Sequence, residues 1–371
     1  MSPRPRGRPG RLEPSWRWRL VLFFLAMLLG AAVAVLWWTW RGFQPASATG
    51  QKQIFKVEEG QSLTEISRGL YRAGLIPNAR AFRWGVERWG LAQQLKHGAY
   101  ELAPTMSPRA IAEKMARGDV AVRTVTIPEG FTVDQIAARL AANEVCEAQA
   151  FKQLARGGGP SPAEAGASAR EGGALDKLMG MKRPKSGWEG YLFPKTYTIP
   201  YEAGAQAAVE MMLKQFLSET RPLRPPMKKK GLGLHQVVTL ASLVEREAKL
   251  DSERPVIAGV YYNRLKAGMK LQCDATVVYA WARQGVQKQR LLYADLAIDS
   301  PYNTYLHKGL PVGPIASPGL KSLEAAVHPA DTDYLFYVAA GDGSHLFSRT
   351  PAEHEAAKLR VRAGLGQKAA G

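Results

Sequence analysis

The chain has 371 residues, 46% of them hydrophobic and 22% charged, with a formal net charge of +18, so it is ordinary globular material in bulk and strongly basic. Two cysteines, Cys146 and Cys273, and six scattered histidines (His97, His235, His307, His328, His345, His354) form no CxxC or HxxxH spacing, which speaks against a metal centre. No cofactor is expected.

Residues 1–19, "MSPRPRGRPGRLEPSWRWR", set six arginines against the single acid Glu13, a net of +5. The next 21 positions, Leu20 to Trp40, hold no charged residue. At about 1.5 Å per residue such a helix just crosses a hydrocarbon core of about 30 Å. A cleavable signal peptide is the competing reading. The apolar run is longer than the usual h-region, and bulky Trp37, Trp38 and Trp40 stand where small residues would be cut. The expectation is therefore a single retained inner-membrane span at 20–40, with the basic tail 1–19 cytoplasmic and everything after Arg41 periplasmic. Removing the tail's +5 leaves +13 on the exported part, where anionic lipid and wall polymers are better partners than nucleic acid. In that oxidising space a Cys146–Cys273 disulfide is an option that spacing alone leaves open.

Residues 41–52 read as a polar juxtamembrane linker. An internal near-repeat follows: "VEEGQSLTEISRGL" (57–70) aligns without gaps on "IPEGFTVDQIAARL" (127–140), matching Glu59/Glu129, Gly60/Gly130, Ser62/Thr132, Ile66/Ile136 and Leu70/Leu140. Each copy predicts a short strand (Ile54–Val57; Val122–Ile127), a glycine turn, a Ser or Thr N-cap and an amphipathic helix. Between them Ser107 and Pro108 start a helix that Gly118 ends. This β/α module, taken over 53–145, resembles LysM, a small domain that binds glycans containing N-acetylglucosamine. A plain packing unit explains the same glycines and caps, and no aromatic platform decides between the two.

An intermediate segment, 146–230, contains a Gly, Ala, Pro and Ser-rich insertion at 157–173 that reads as flexible, and a stretch "RPLRPPMKKKG" (221–231) whose prolines and lysines argue against a buried element. The stretch 184–200 is expected to join a body at 231–362, with a tail beyond. In that body the apolar residues from Val237 to Ala248 fit a helix with one broad apolar side. With Val237 at zero, Glu247 falls at about 280° and Glu245 at about 80°, against an apolar centre near 340°. Glu247 is nearer the apolar flank, where desolvation raises a carboxyl pKa and keeps a proton available for a departing glycosidic oxygen. Glu245, beside Arg246, reads as ionised, and a solvated pair remains the plain alternative. "YYNRLKAGMKLQCDATVVY" (261–279) supplies Asn263, Gln272 and Asp274, and the proline-stiffened loop at 300–319 supplies Tyr302, Asn303 and Thr304. Amides, hydroxyls and flat rings suit a sugar better than a phosphate. The strand "DYLFYVA" (333–339) is expected to pack against the glutamate helix and to be buried on both faces.

Taken in order, ASLVEREA, YYNRL, GMKLQCDATVVY, SPYNTY, GLPVGPIASPG, AAVHPADTDYLFYVA and FSRTPAEHE, with WEGYLFPKTYTI upstream, resemble the endolytic murein transglycosylases of the MltG/YceG type over residues 55–362. The resemblance implies an α+β chain with an N-terminal transmembrane helix, a LysM-like β/α module and a mixed α/β catalytic domain. It implies lytic cleavage of peptidoglycan glycan strands between N-acetylmuramic acid and N-acetylglucosamine, without water, leaving 1,6-anhydro ends and limiting strand elongation near synthases such as the penicillin-binding proteins. The family's catalytic glutamate, the second of its ExE pair, falls on Glu247, with Glu245, Glu189, Asn263, Gln272, Asp274, Tyr302, Asn303 and Thr304 as candidate substrate contacts. Lys195, Val312 and Cys273 depart from the family's usual Asp, Pro and Ser or Thr. Two other readings stand beside it: a non-catalytic glycan-binding scaffold, and a hydrolytic muramidase with Asp274 as second carboxylate.

Overall fold

The computed structural model describes residues 16–157 and 174–370, so 1–15 and most of the insertion at 157–173 lie outside the described residues. The chain divides into two compact units, one ending at Ala121 and one beginning at Val122.

The first unit opens with α1 (Trp16–Gly42), exposed along its length and with mean hydropathy 2.7 over its most apolar window. Among the described residues it is the one helix long and apolar enough to span a bilayer. Behind it, β1 (Gln53–Val57) pairs antiparallel with β2 (Gly98–Leu102), and α2 (Leu63–Arg72), α3 (Ala79–Arg88) and α4 (Pro108–Arg117) bury Leu70, Phe82, Val86, Ile111 and Met115 against the pair. Ser107 caps α4 and Gly118 ends it at φ +73, as Pro108 and Gly118 predict.

The second unit starts with β3 (Val122–Thr126), which pairs antiparallel with β4 (Thr196–Pro200). The near-repeat holds at the level of caps. Ser62 with Glu65 and Thr132 with Gln135 form reciprocal capping boxes on α2 and on α5 (Val133–Ala142), after Gly60 and Gly130 at φ +78 and +74. The two copies nevertheless belong to different compact units, the first ending at Ala121, within the 53–145 stretch read as one module. β4 is the reason: it takes the second copy's strand into the core of the larger unit, together with buried Trp188, Tyr191 and Leu192.

The rest is helical: α6 (Ala148–Arg156), α7 (174–179), α8 (Gly204–Thr220), α9 (Arg224–Lys229), α10 (Leu234–Glu247), α11 (Arg254–Lys266), α12 (Asp274–Arg283), α13 (Leu320–Val327) and α14 (Pro351–Ala370), with β5 (Phe336–Ala339) and β6 (His345–Ser348) as an antiparallel hairpin. Helix α10 is the axis, packed on α11, α12 and α13. Every residue from Val237 to Val244 is buried, so the expected one-sided amphipathic helix is enclosed all round. Burial of each Val or Leu there is worth roughly 1.5–3 kcal/mol. The polar members are satisfied locally: Thr239 donates to the His235 carbonyl, and Ser242 donates to the Thr239 carbonyl while accepting from the Ile315 amide.

Gly190, at φ +82, lets the 189–191 turn sit on α10, since a Cβ there would lie 2.4 Å from Pro314 and 3.0 Å from Val238. Three expectations change. Residues 221–229 are helical and bury Leu223 and Met227, because Pro225 and Pro226 occupy the first turn of α9, where no amide partner is lost. The strand at 333–339 shortens to Phe336–Ala339 and is half-buried, its second face turned to an open cleft. The helix read as ending near 362 continues to Ala370.

Candidate active site

Glu247 is the last residue of α10, and Ala248 leaves the helix in extended conformation. The side chain therefore projects past the helix end into a cleft of about 590 Å³, whose walls include Gln272, Asp274, Tyr305, Tyr337 and His345. Its Oε1 accepts the Cys273 thiol at 3.1 Å, and the Tyr337 hydroxyl reaches the same carboxyl. Tyr337 is backed in turn by Tyr261, oxygen to oxygen 2.9 Å. Burial raises the pKa of Glu247 above the ordinary carboxylate value; the Cys273 thiol pulls down, the Asp274 charge pushes further up, and His345 and Tyr337 pull down. Burial is the largest of these effects, so the net direction is upward.

The opposite wall is fixed by the loop after Asp299. Thr304 accepts the Cys273 amide at 3.0 Å on its hydroxyl, and its carbonyl accepts the Gln272 amide at 3.2 Å. Asn303, fully buried, donates to the carbonyls of Leu296 and Ile298 and accepts the Tyr305 amide. Tyr305 then donates its hydroxyl to Asp274. Gln272 is held at φ +49, a strained conformation for a side-chain-bearing residue, and it faces the cleft. Asp274 opens α12 as its first residue.

The sequence-derived candidates thus separate. Glu247, Gln272 and Asp274 line one cleft. Thr304 and Asn303 build the loop behind it, while Tyr302, 8% exposed, packs edge-on against Tyr279. Asn263 donates to the carbonyls of Thr332 and Tyr334 and so places the lead-in to β5. Glu189, 1% exposed, accepts the Val133 amide that opens α5 and the Tyr279 hydroxyl, each at 2.9 Å; burial pushes its pKa up to about 7. Glu245 pairs with Arg254 at 3.1 Å and accepts the Gly319 amide at 3.0 Å, both partners of the ion pair being under a tenth exposed. Its partner is Arg254 rather than the neighbouring, exposed Arg246.

The sequence reading missed Tyr337 and His345 as cleft residues, whereas Tyr305 stands in the 300–319 loop that it read as lining a binding site. His345 is gripped by Glu253, which accepts its backbone amide at 2.9 Å and its Nδ1 at 2.7 Å. Tyr337 lay in a strand read as packing, and the adjacent aromatics Phe336 and Tyr337, which point to opposite faces of a strand, were the one local hint of a second face. Arg264 joins the walls by donating to the carbonyls of Leu335 and Leu271. Cys146 and Cys273 are free thiols, so the disulfide option is not taken. Among the described residues no cluster of three or more His, Cys, Asp or Glu could hold a metal ion.

A carboxyl whose pKa is raised by burial, met by two neutral donors in a half-open cleft that Gln272 also lines, can protonate a leaving oxygen and later accept a proton. A profile of the YceG-like family matches residues 55–360. The chain is 36% identical over 318 residues to the endolytic murein transglycosylase of Bacillus subtilis (strain 168), covering 84% of this chain and 85% of that one. It is 29% identical over 350 residues to the endolytic murein transglycosylase of Streptococcus pneumoniae (strain D39), of whose length it spans 63%. The crystal structure of a yceG-like protein from Listeria monocytogenes superposes with a TM-score of 0.55 at 34% identity, covering 83% of this chain and 99% of that one.

Proposed function

The chain belongs to the YceG-like family, and from that premise we propose that Glu247 is the single acid and base of a peptidoglycan lytic transglycosylase. The enzyme cleaves murein glycan strands as its relatives' names state. The observation that carries the residue assignment is the Glu247 carboxyl itself, its pKa raised by burial at the wall of the cleft.

Glu247 gives its proton to the oxygen linking muramic acid to the next glucosamine as the C1–O bond breaks. The resulting carboxylate takes the proton from the muramic acid 6-hydroxyl, whose oxygen closes on C1. The strand ends in a 1,6-anhydro sugar and the carboxyl is regenerated, so no water and no second nucleophile enter. Gln272 and Asp274, which line the same cleft, hold sugar hydroxyls and amides beside it in this reading.

In the first unit, a groove of about 450 Å³ between Glu58–Gln61 and Leu95–His97 supports the LysM-like reading and a holding site for the strand. The apolar α1 anchors the protein, with the arginine-rich end cytoplasmic and the catalytic unit on the periplasmic side, beside the synthases that produce nascent strands. Hydrolysis is the second reading, favoured by Asp274 lying in the same cleft. Glu247→Gln in the purified protein tests the assignment: release of anhydro-ended products is lost while the melting temperature is kept, and retained activity removes Glu247 from the role.

A further inference from the structure

Cys273 stands at the N-cap of α12, 1% exposed, with its sulfur 3.1 Å from Oε1 of Glu247. Its backbone is positioned independently of the thiol, since the amide donates to Thr304 and the carbonyl accepts from Thr276. The sulfur lies between the Glu247 carboxyl, to which it donates, and the Tyr261 hydroxyl. Burial and the facing Glu247 charge both push the thiol pKa well above its ordinary value, so it stays S–H and donates.

We propose that Cys273 is a positioning residue that acts through Glu247: as a weak donor it holds Oε1 in place while leaving the carboxyl protonated to a higher pH than a hydroxyl would. This rests on Glu247 being the acid. The reasoning is the ranking of donors: an S–H donates more weakly than an O–H, and a donor to a carboxylate favours the ionised form in proportion to its strength. The other groups facing Glu247 are Tyr261 from α11, Asp274 from α12, Tyr337 from β5 and His345 from β6, with Tyr305 from the preceding loop. Of these only Tyr261 also meets the sulfur, so Tyr261→Phe, measured alone and together with Cys273→Ser, separates its share of the shift.

The experiment is the pH profile of kcat/KM for anhydro-ended product from purified glycan strands, using the full-length protein, Cys273→Ser and Cys273→Ala. The basic limb reports loss of the Glu247 proton in free enzyme. Cys273→Ser moves its midpoint down by about 0.5–1 pH unit, and Cys273→Ala moves it up. The serine variant keeps size and donor, so it folds if the wild type does; a melting curve at one pH records this. Coincident midpoints, or any order other than Ser below Cys below Ala, overturn the inference. Should Glu247→Gln remain active, the assignment of the acid fails instead, and the two failures are read from separate variants.

Discussion

Glu245 and Glu247 stand two residues apart and meet opposite surroundings. Glu245 has a guanidinium and a backbone amide, and both members of its ion pair are buried. Removing one partner from such a pair leaves an uncompensated buried charge, at a cost of about 3–5 kcal/mol. Glu245→Gln is thus expected to lower thermal stability by that order, measured by denaturant unfolding, whereas Glu247→Gln leaves stability nearly unchanged. Equal losses in the two variants would contradict this division. Tyr305→Phe removes a donor to Asp274 without creating a cavity, so stability holds and kcat/KM falls severalfold if Asp274 must be held to meet substrate. The sequence favoured Glu247 through its place on a helical wheel, but the helix is enclosed on all sides and the wheel does not set the difference. What sets it is the identity of partners from α11, α12 and β5, which are distant in the chain and carry no local signal. Asn303 and Thr304 show the same limit: turn-type residues in a polar loop resemble ligands in sequence, and their carbonyl and amide partners are visible only in three dimensions.

At the scale of elements, the local grammar was legible. Capping boxes, Pro at N1 and Gly at the C-cap place α2, α4 and α5 within a residue or two of their expected starts. Pairing was not legible, because β4 runs antiparallel to β3 far along the chain, from Thr126↔Thr196 to Val122↔Pro200, and nothing in either strand names the other. Glu189 is the joint of this arrangement, accepting from the first amide of α5 and from Tyr279 of α12. Its folded pKa near 7 lies above the ordinary carboxylate value of 4.5. A raised acid pKa means the folded state binds the proton more tightly. The associated stability is present below about pH 4.5 and is lost as pH rises toward 7, on the order of 3 kcal/mol. Unfolding measured between pH 4.5 and 7.5 should show this decline in the wild type and a flatter profile in Glu189→Gln; parallel profiles would exclude Glu189 as its source.

For the whole molecule, the first of two compact units opens with α1, among the described residues the one helix long and apolar enough to span a bilayer. In the proposed reading, anchoring through α1 keeps the cleft near the site where strands emerge. A protein lacking residues 1–41 should fractionate as soluble and still cleave isolated strands, while the full chain stays in the membrane pellet after carbonate washing. The central claim concerns the fate of the broken bond, and product mass tests it most directly. Purified enzyme acting on uncross-linked glycan strands should yield products that together weigh what the substrate weighed, each new muramic end being a 1,6-anhydro sugar, and none with Glu247→Gln. Products heavier by one water per cleavage, with reducing ends, would contradict the account and return the cleft to a hydrolase using Glu247 and Asp274 together.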